Sequence, residues 1–268
     1  MIPISAEPIF TLAGFTITNT LINTTVAMLI LVAFAYTIKS NIKAIPSRLQ
    51  AFMETLLELM LDYGDRVTQD RKKTLKFLPI AGTSFIFILV SNWLGLFPGT
   101  GTIGIYKLIH GEIELVPILR SANSDLNLTL ALAVSSVLFT HIVGMMSVGI
   151  IGHWSRFIQI GNVWKAIKSL SPIKVLIALV EFGVGFIELF SEAAKILSLS
   201  LRLFGNIFAG EVLLTVFASL MAFILPTPFL FMELMVGAVQ ATVFSILIMV
   251  YLTIMSTSHG EEHLPKHT

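Results

Sequence analysis

The sequence contains no cysteine, and only 12% of its 268 residues are charged. The first absence excludes a disulfide framework, thiolate chemistry and any cysteine-ligated metal or iron–sulfur centre. The second is about half the charge of an ordinary soluble domain. Hydrocarbon takes its place: 55% of residues are hydrophobic and the mean hydropathy is +0.88. Apolar blocks recur that are long enough to cross a hydrocarbon core of about 30 Å, so the expected fold class is an all-α polytopic membrane protein. The net charge of +1 gives no reason to expect a nucleic-acid partner. Lys and Arg are also missing from residues 1–38. That stretch therefore lacks the basic region of a secretory signal and the arginines of a transit peptide. The first apolar span is expected to be retained, in a bacterial plasma membrane rather than an organellar inner membrane.

Hydropathy predicts spans at about residues 18–38, 77–97 and 126–151, then a long hairpin over 173–225 and 229–256. This makes about five membrane-embedded helices in one membrane domain, 1–268. Ser47 and Gln50 read as a capping box. After them Leu49, Phe52, Met53, Leu56, Leu57, Met60 and Tyr63 recur at helical spacing opposite Glu54, Glu58, Asp62 and Arg66. That predicts an amphipathic helix over 46–66 on the membrane surface. Residues 98–125 read as a loop, and Trp154 and Trp164 suit an interface.

Basic residues orient the chain. Residues 39–76 hold eight Lys or Arg, 98–125 two, 152–174 four and 225–229 none. The positive-inside rule then places the N-terminus outside and the C-terminus inside. A helix over 172–225 would be about 80 Å long at 1.5 Å per residue. Either it breaks at Gly183 and Gly185, or it lies strongly tilted.

Within the apolar hairpin stand Glu181, Glu188, Glu192, Lys195, Arg202, Glu211, Glu233 and Gln240. Charge at membrane depth costs from about 2.5 kcal/mol upward, so such groups mark an ion pathway by default. Structural pairing and snorkelling are the competing explanation, strongest for Glu181 and Lys195 and weakest for Arg202. At 100° per residue, Lys195 and Glu188 share the Arg202 face, where Ala194, Ser198, Gly205 and Ala209 admit a close neighbour. Glu211 points the other way. One antiparallel register pairs Arg202 with Gln240 and Glu211 with Glu233. Two carboxylates in one low-dielectric site exchange a proton near neutral pH, whereas arginine keeps its proton and acts as a fixed charge.

The run Ser198-Leu-Ser-Leu-Arg202-Leu-Phe-Gly-Asn206-Ile-Phe-Ala-Gly-Glu211 resembles the signature of the a subunit of F-type ATP synthases. So do Asn92-Trp-Leu-Gly-Leu-Phe-Pro98-Gly, Asp125-Leu-Asn127-Leu-Thr129, and Gln240 with the run ending at Tyr251. The resemblance covers the chain from about residue 46 onward. It implies two tilted final helices and two half-channels to a rotating c-ring, with b-type peripheral-stalk subunits as further partners. The essential arginine is then Arg202, the outer half-channel carboxylate Glu211 and the glutamine of the last helix Gln240, with Asn206, Ser198 and Glu188 near the channel. Glu233 stands where some members have histidine, so which carboxylate passes the proton stays open. Glu192 and Lys195 join Glu188 as candidates for the inner exit. The ion is expected to be H⁺, with Na⁺ as the alternative. No cofactor is implied, and the nucleotide chemistry belongs to other subunits.

Other signals carry less. Gly99-Thr-Gly101-Thr-Ile-Gly104 matches GxGxxG but follows a membrane span and lacks a βαβ unit. Asn23-Thr-Thr25 is a sequon inside a span, and His259, His263 and His267 beside Glu261 and Glu262 read as a solvated tail. His141 is titratable at depth, and channel lining and packing are equally open for it. Against the rotary reading stand a self-sufficient transporter, which calls for internal repeats that the sequence does not display, and a plain membrane anchor, which needs no buried ionisable groups.

Overall fold

The computed structural model describes residues 6–12, 14–97, 100, 103–109, 112–157, 168, 172–221 and 224–256. Trp164, the tail histidines and two glycines of the GxGxxG string, Gly99 and Gly101, lie outside them. Seven helices are described: α1 (Asn19–Ser40), α2 (Arg48–Thr68), α3 (Arg71–Gly95), α4 (Leu126–Val148), α5 (Ile150–Phe157), α6 (Pro172–Leu220) and α7 (Pro226–Ser256). Among the described residues, α1, α3, α4 and α7 are long and apolar enough to cross a membrane. The all-α polytopic class expected from composition is the class observed.

Local chemistry sets the helix starts. Thr18, Ser47, Asp70 and Asp125 each accept a backbone N–H in the first turn of α1, α2, α3 and α4. The Asp70 cap is why α3 begins at Arg71, well ahead of its apolar run. The expected capping box at Ser47 is half formed. Ser47 Oγ accepts from the Gln50 N–H at 3.3 Å, but the Gln50 side chain reaches back to Lys43 and across to Glu54. Gly149, at φ +87°, ends α4 and turns the chain into α5. This splits an apolar run that hydropathy alone reads as continuous to Ile151.

Two antiparallel β-hairpins add to the helices. One joins β1 (Pro8–Leu12) to β2 (Phe15–Thr18); the other, β3 (Gly104–Ile109) to β4 (Glu112–Pro117), occupies a segment that reads as loop in the sequence. Both sit at the end of the bundle where α1, α4 and α7 begin and α3 stops. Thr20 Oγ1 donates to Asp125 there at 3.1 Å, and Asn23 Nδ2 donates to the Arg120 carbonyl at 2.8 Å. Asn123 Nδ2 donates to Asn92 Oδ1 at 2.6 Å, while Asn92 and Trp93 donate to the carbonyls of Gly237 and Leu234. The opposite end holds the α2–α3 turn and α5.

The apolar core lies among α2, α3, α4, α6 and α7, with Phe77, Ile88, Leu199, Leu203, Phe244, Ile248 and Leu252 buried in it. Helix α2 meets it along one edge, through Met60 and Gly64. A Cβ at Gly64 would lie 2.5 Å from the Thr74 methyl, so α2 and α3 touch there because the side chain is missing. Leu49, Phe52 and Tyr63 of the same helix stay exposed.

Helix α6 is continuous over 49 residues, about 74 Å at 1.5 Å per residue. Gly183 and Gly185 therefore do not break it. A rod more than twice as long as the hydrocarbon is thick fits a bilayer only at a steep tilt. Its first half exposes Leu176, Val180, Phe186, Ile187 and Phe190.

Candidate ion-translocation site

The ionisable groups fall into three layers along α6. In the middle layer Arg202 lies on the exposed side, and its Nη2 donates to Ser198 Oγ of the preceding turn at 3.2 Å. Leu201, Asn206 and Ala209 are also exposed, and so are Ala194 and Ser198. Small side chains thus surround a permanent charge on an open face.

The expected Arg202–Gln240 pair is replaced. Gln240 is buried and its Oε1 accepts from Asn206 Nδ2 at 2.9 Å. An amide satisfies an amide, one turn beyond the arginine, which leaves the guanidinium on the open side.

In the hairpin-end layer Glu211 and Glu233 do not pair directly. Glu211 is held by Arg120, whose Nε lies 3.0 Å from Oε1 and 3.2 Å from Oε2. The Arg120 side chain is 2% exposed, against 26% for Glu211. Glu233 is buried instead against Gly210, where any Cβ would run into its carboxylate. Its Oε1 has no hydrogen-bond partner among the described residues. The glycine makes the slot, and the 100° step from Gly210 to Glu211 turns the second carboxylate away toward Arg120. Arg120 is not among the residues that the sequence singles out. The available signal was an arginine five residues before the Asp125 cap, in the loop assigned to the Glu211 side of the membrane.

At the α5 end, Glu192 is buried and its Oε1 accepts from Lys195 Nζ at 2.6 Å. Its Oε2 lies 3.6 Å from His141 Nε2 of α4, and His141 Nδ1 lies 3.0 Å from His153 Nε2 of α5. Lys195 Nζ also sits 4.9 Å from the centre of the Tyr251 ring. Glu188 and Glu181 are half-buried further along α6.

A bundle of apolar helices with a permanent cation on an open face, a carboxyl-bearing layer toward one end and another toward the opposite end defines an ion-conducting membrane subunit. The family model described as ATP synthase A chain matches residues 20–253. The chain is 33% identical over 256 residues to ATP synthase subunit a of Mycobacterium bovis, covering 93% of this chain and 92% of that protein. It is 30% identical over 245 residues to the Gloeobacter violaceus subunit a, covering 91% and 86%. It is also 30% identical over 252 residues to the Propionigenium modestum protein named ATP synthase subunit a, sodium ion specific, covering 93% and 78%. The chain belongs to the ATP synthase subunit a family. It is a non-catalytic integral-membrane subunit of the proton-translocating sector.

Proposed function

We propose that the open Arg202 face meets the carboxylates of a rotating c-ring, and that the layers on either side of it are the two half-channels. The observation that carries this reading is the exposure of Arg202 on an apolar helix, with Ser198 of its own helix as its hydrogen-bond partner. Left against lipid, such a charge costs from about 2.5 kcal/mol upward; against a ring carboxylate that cost is offset.

A proton enters at the hairpin end and passes through Glu233. The Arg120 contact clamps Glu211 as a counter-charge, so Glu233, which lacks such a clamp, is the group that gains and loses the proton. The proton neutralises a ring carboxylate, which then rotates into lipid where an anion would not go. On completing the turn the ring site meets the inner half-channel and releases its proton toward the α5 end. Glu188, Glu192 and Lys195 line that exit. Arg202 receives the ionised ring site and bars direct passage between the channels. Asn206 and Gln240 hold α6 to α7 beneath it, and Ser198 orients the guanidinium.

The partners in this reading are the c-ring, b-type peripheral-stalk subunits and the bilayer. The N-terminus is outside and the C-terminus inside a bacterial plasma membrane, as the charge distribution and the bacterial relatives support. Protons are the ion, and the ring supplies most of the ion site.

The sequence has no cysteine, so single cysteines report contacts cleanly. Leu201→Cys and Asn206→Cys are expected to cross-link to cysteines on the outer helix of the ring subunit. Leu199→Cys and Leu203→Cys, buried in the core, are expected to stay unreacted. The reverse pattern would place the ring on another face.

A further inference from the structure

The group at the α5 end is arranged in a line across three helices. His153 Nε2 faces His141 Nδ1 at 3.0 Å, and His141 Nε2 faces Glu192 Oε2 at 3.6 Å. Lys195 closes the far side of Glu192 at 2.6 Å, with Tyr251 of α7 beyond it. Glu192 and the two histidines do not converge on one point, so they form a file rather than a metal cage. Exposure peaks in the middle of the file: the His141 side chain is 23% exposed, against 8% for Glu192, and His153 is buried.

Resting on the proton-carrying reading above, we propose that His141 is the proton relay between Glu192 and the solvent at the α5 end, and that His153 is the positioning residue that sets which ring nitrogen of His141 serves. A neutral imidazole has one donor and one acceptor nitrogen, and the hydrogen bond on one decides the role of the other. With His153 Nε2 accepting, His141 carries its hydrogen on Nδ1 and presents Nε2 as a base to Glu192.

The geometry supports that assignment. Glu192 Oε2 is buried with no hydrogen-bond partner among the described residues. That oxygen faces His141 Nε2. A small side-chain rotation closes the gap of 3.6 Å. Gly144 keeps His153 in place: a Cβ there would come 2.8 Å from His153 Nδ1, so the ring packs this closely on α4 only because no side chain intervenes.

The step is a simple proton transfer. The O–H bond of protonated Glu192 breaks and an N–H bond forms at His141 Nε2. This leaves a carboxylate on Lys195 and an imidazolium. The imidazolium then gives that Nε2 proton to water, which restores neutral His141 and leaves Glu192 ionised on Lys195 until the next ring site protonates it. Lys195 makes the ionised Glu192 acceptable in this buried place. In the pumping direction the same steps run backward.

The test uses the complete synthase in inverted vesicles, with the α5 end facing the medium. His141→Ala, His141→Gln, His153→Gln and Arg202→Ala are compared by ATP-driven pumping across the neutral pH range, with and without imidazole in the medium. His141→Ala and His141→Gln are expected to pump roughly tenfold slower or worse, as for loss of a general acid–base group, with the pH dependence flattened. Imidazole is expected to restore the alanine variant, whose vacated space admits it, and not the glutamine variant. His153→Gln is expected to pump with a displaced pH profile. Wild-type pumping by both His141 variants, or slowing with an unchanged pH profile and no imidazole effect, overturns the relay. Arg202→Ala separates the two readings: pumping by that variant would overturn the ion path itself, whereas its loss beside normal His141 variants overturns the relay alone.

Discussion

Gly210 matters for the atom it lacks. The Glu233 carboxylate occupies the space a Cβ would fill, so Gly210→Ala must push Glu233 out of its slot. A misplacement of about 1 Å in a reacting group costs on the order of a hundredfold. Proton pumping by this variant is therefore expected to fall roughly tenfold to a hundredfold while the complex still assembles. Wild-type pumping rates in assembled complex would contradict the placement of Glu233. Residues of this kind divide by legibility. Arg202, Glu211 and Gln240 announce themselves because charge and amide are rare in hydrocarbon. Arg120 does not, since an arginine in a polar loop is unremarkable until folding buries it. The two expected pairs failed differently. Glu233 met Gly210, one residue short of Glu211, whose side chain the helical step turns away, whereas a register shift of one turn sets Asn206 instead of Arg202 opposite Gln240.

At the scale of elements, the long helices were readable because hydropathy and caps act locally. The β-hairpins and α5 were not. Hairpin β3–β4 lies in a stretch without sustained alternation, and α5 depends on a single positive-φ glycine, Gly149, inside an apolar run. His141 and His153 meet only through that turn, which is why a role for His153 was invisible in the sequence. The tie between α6 and the loop before α4 is the Arg120–Glu211 contact, and it can be weighed by a double substitution. Arg120→Gln and Glu211→Gln are each expected to cost about 1–3 kcal/mol, less than the roughly 3–5 kcal/mol of a fully buried pair, since Glu211 keeps 26% exposure. The double variant is expected to recover much of that loss, because neither charge is left alone. Thermal dissociation of the solubilised complex measures it; strict additivity would mean that the two groups are not energetically coupled.

Across the whole molecule, one continuous helix carries all three layers. From Glu211 to Arg202 is about 13 Å along α6, and from Arg202 to Glu192 about 15 Å, at 1.5 Å per residue. Two access routes that reach the same helix at separate heights cannot short-circuit unless a proton passes the arginine. A fixed charge that never deprotonates is suited to stand there. In the proposed function, the steep inclination required by the length of α6 runs one face past the c-ring while its two ends lie toward opposite sides of the membrane.

Arg202→Ala in inverted vesicles, with ATP-driven pumping and passive proton leak measured on the same assembled complex, shows whether the arginine separates the two half-channels. Pumping is expected to be lost while passive leak persists or rises, because the barrier between the two half-channels has been removed. Pumping near the wild-type rate would contradict that separation.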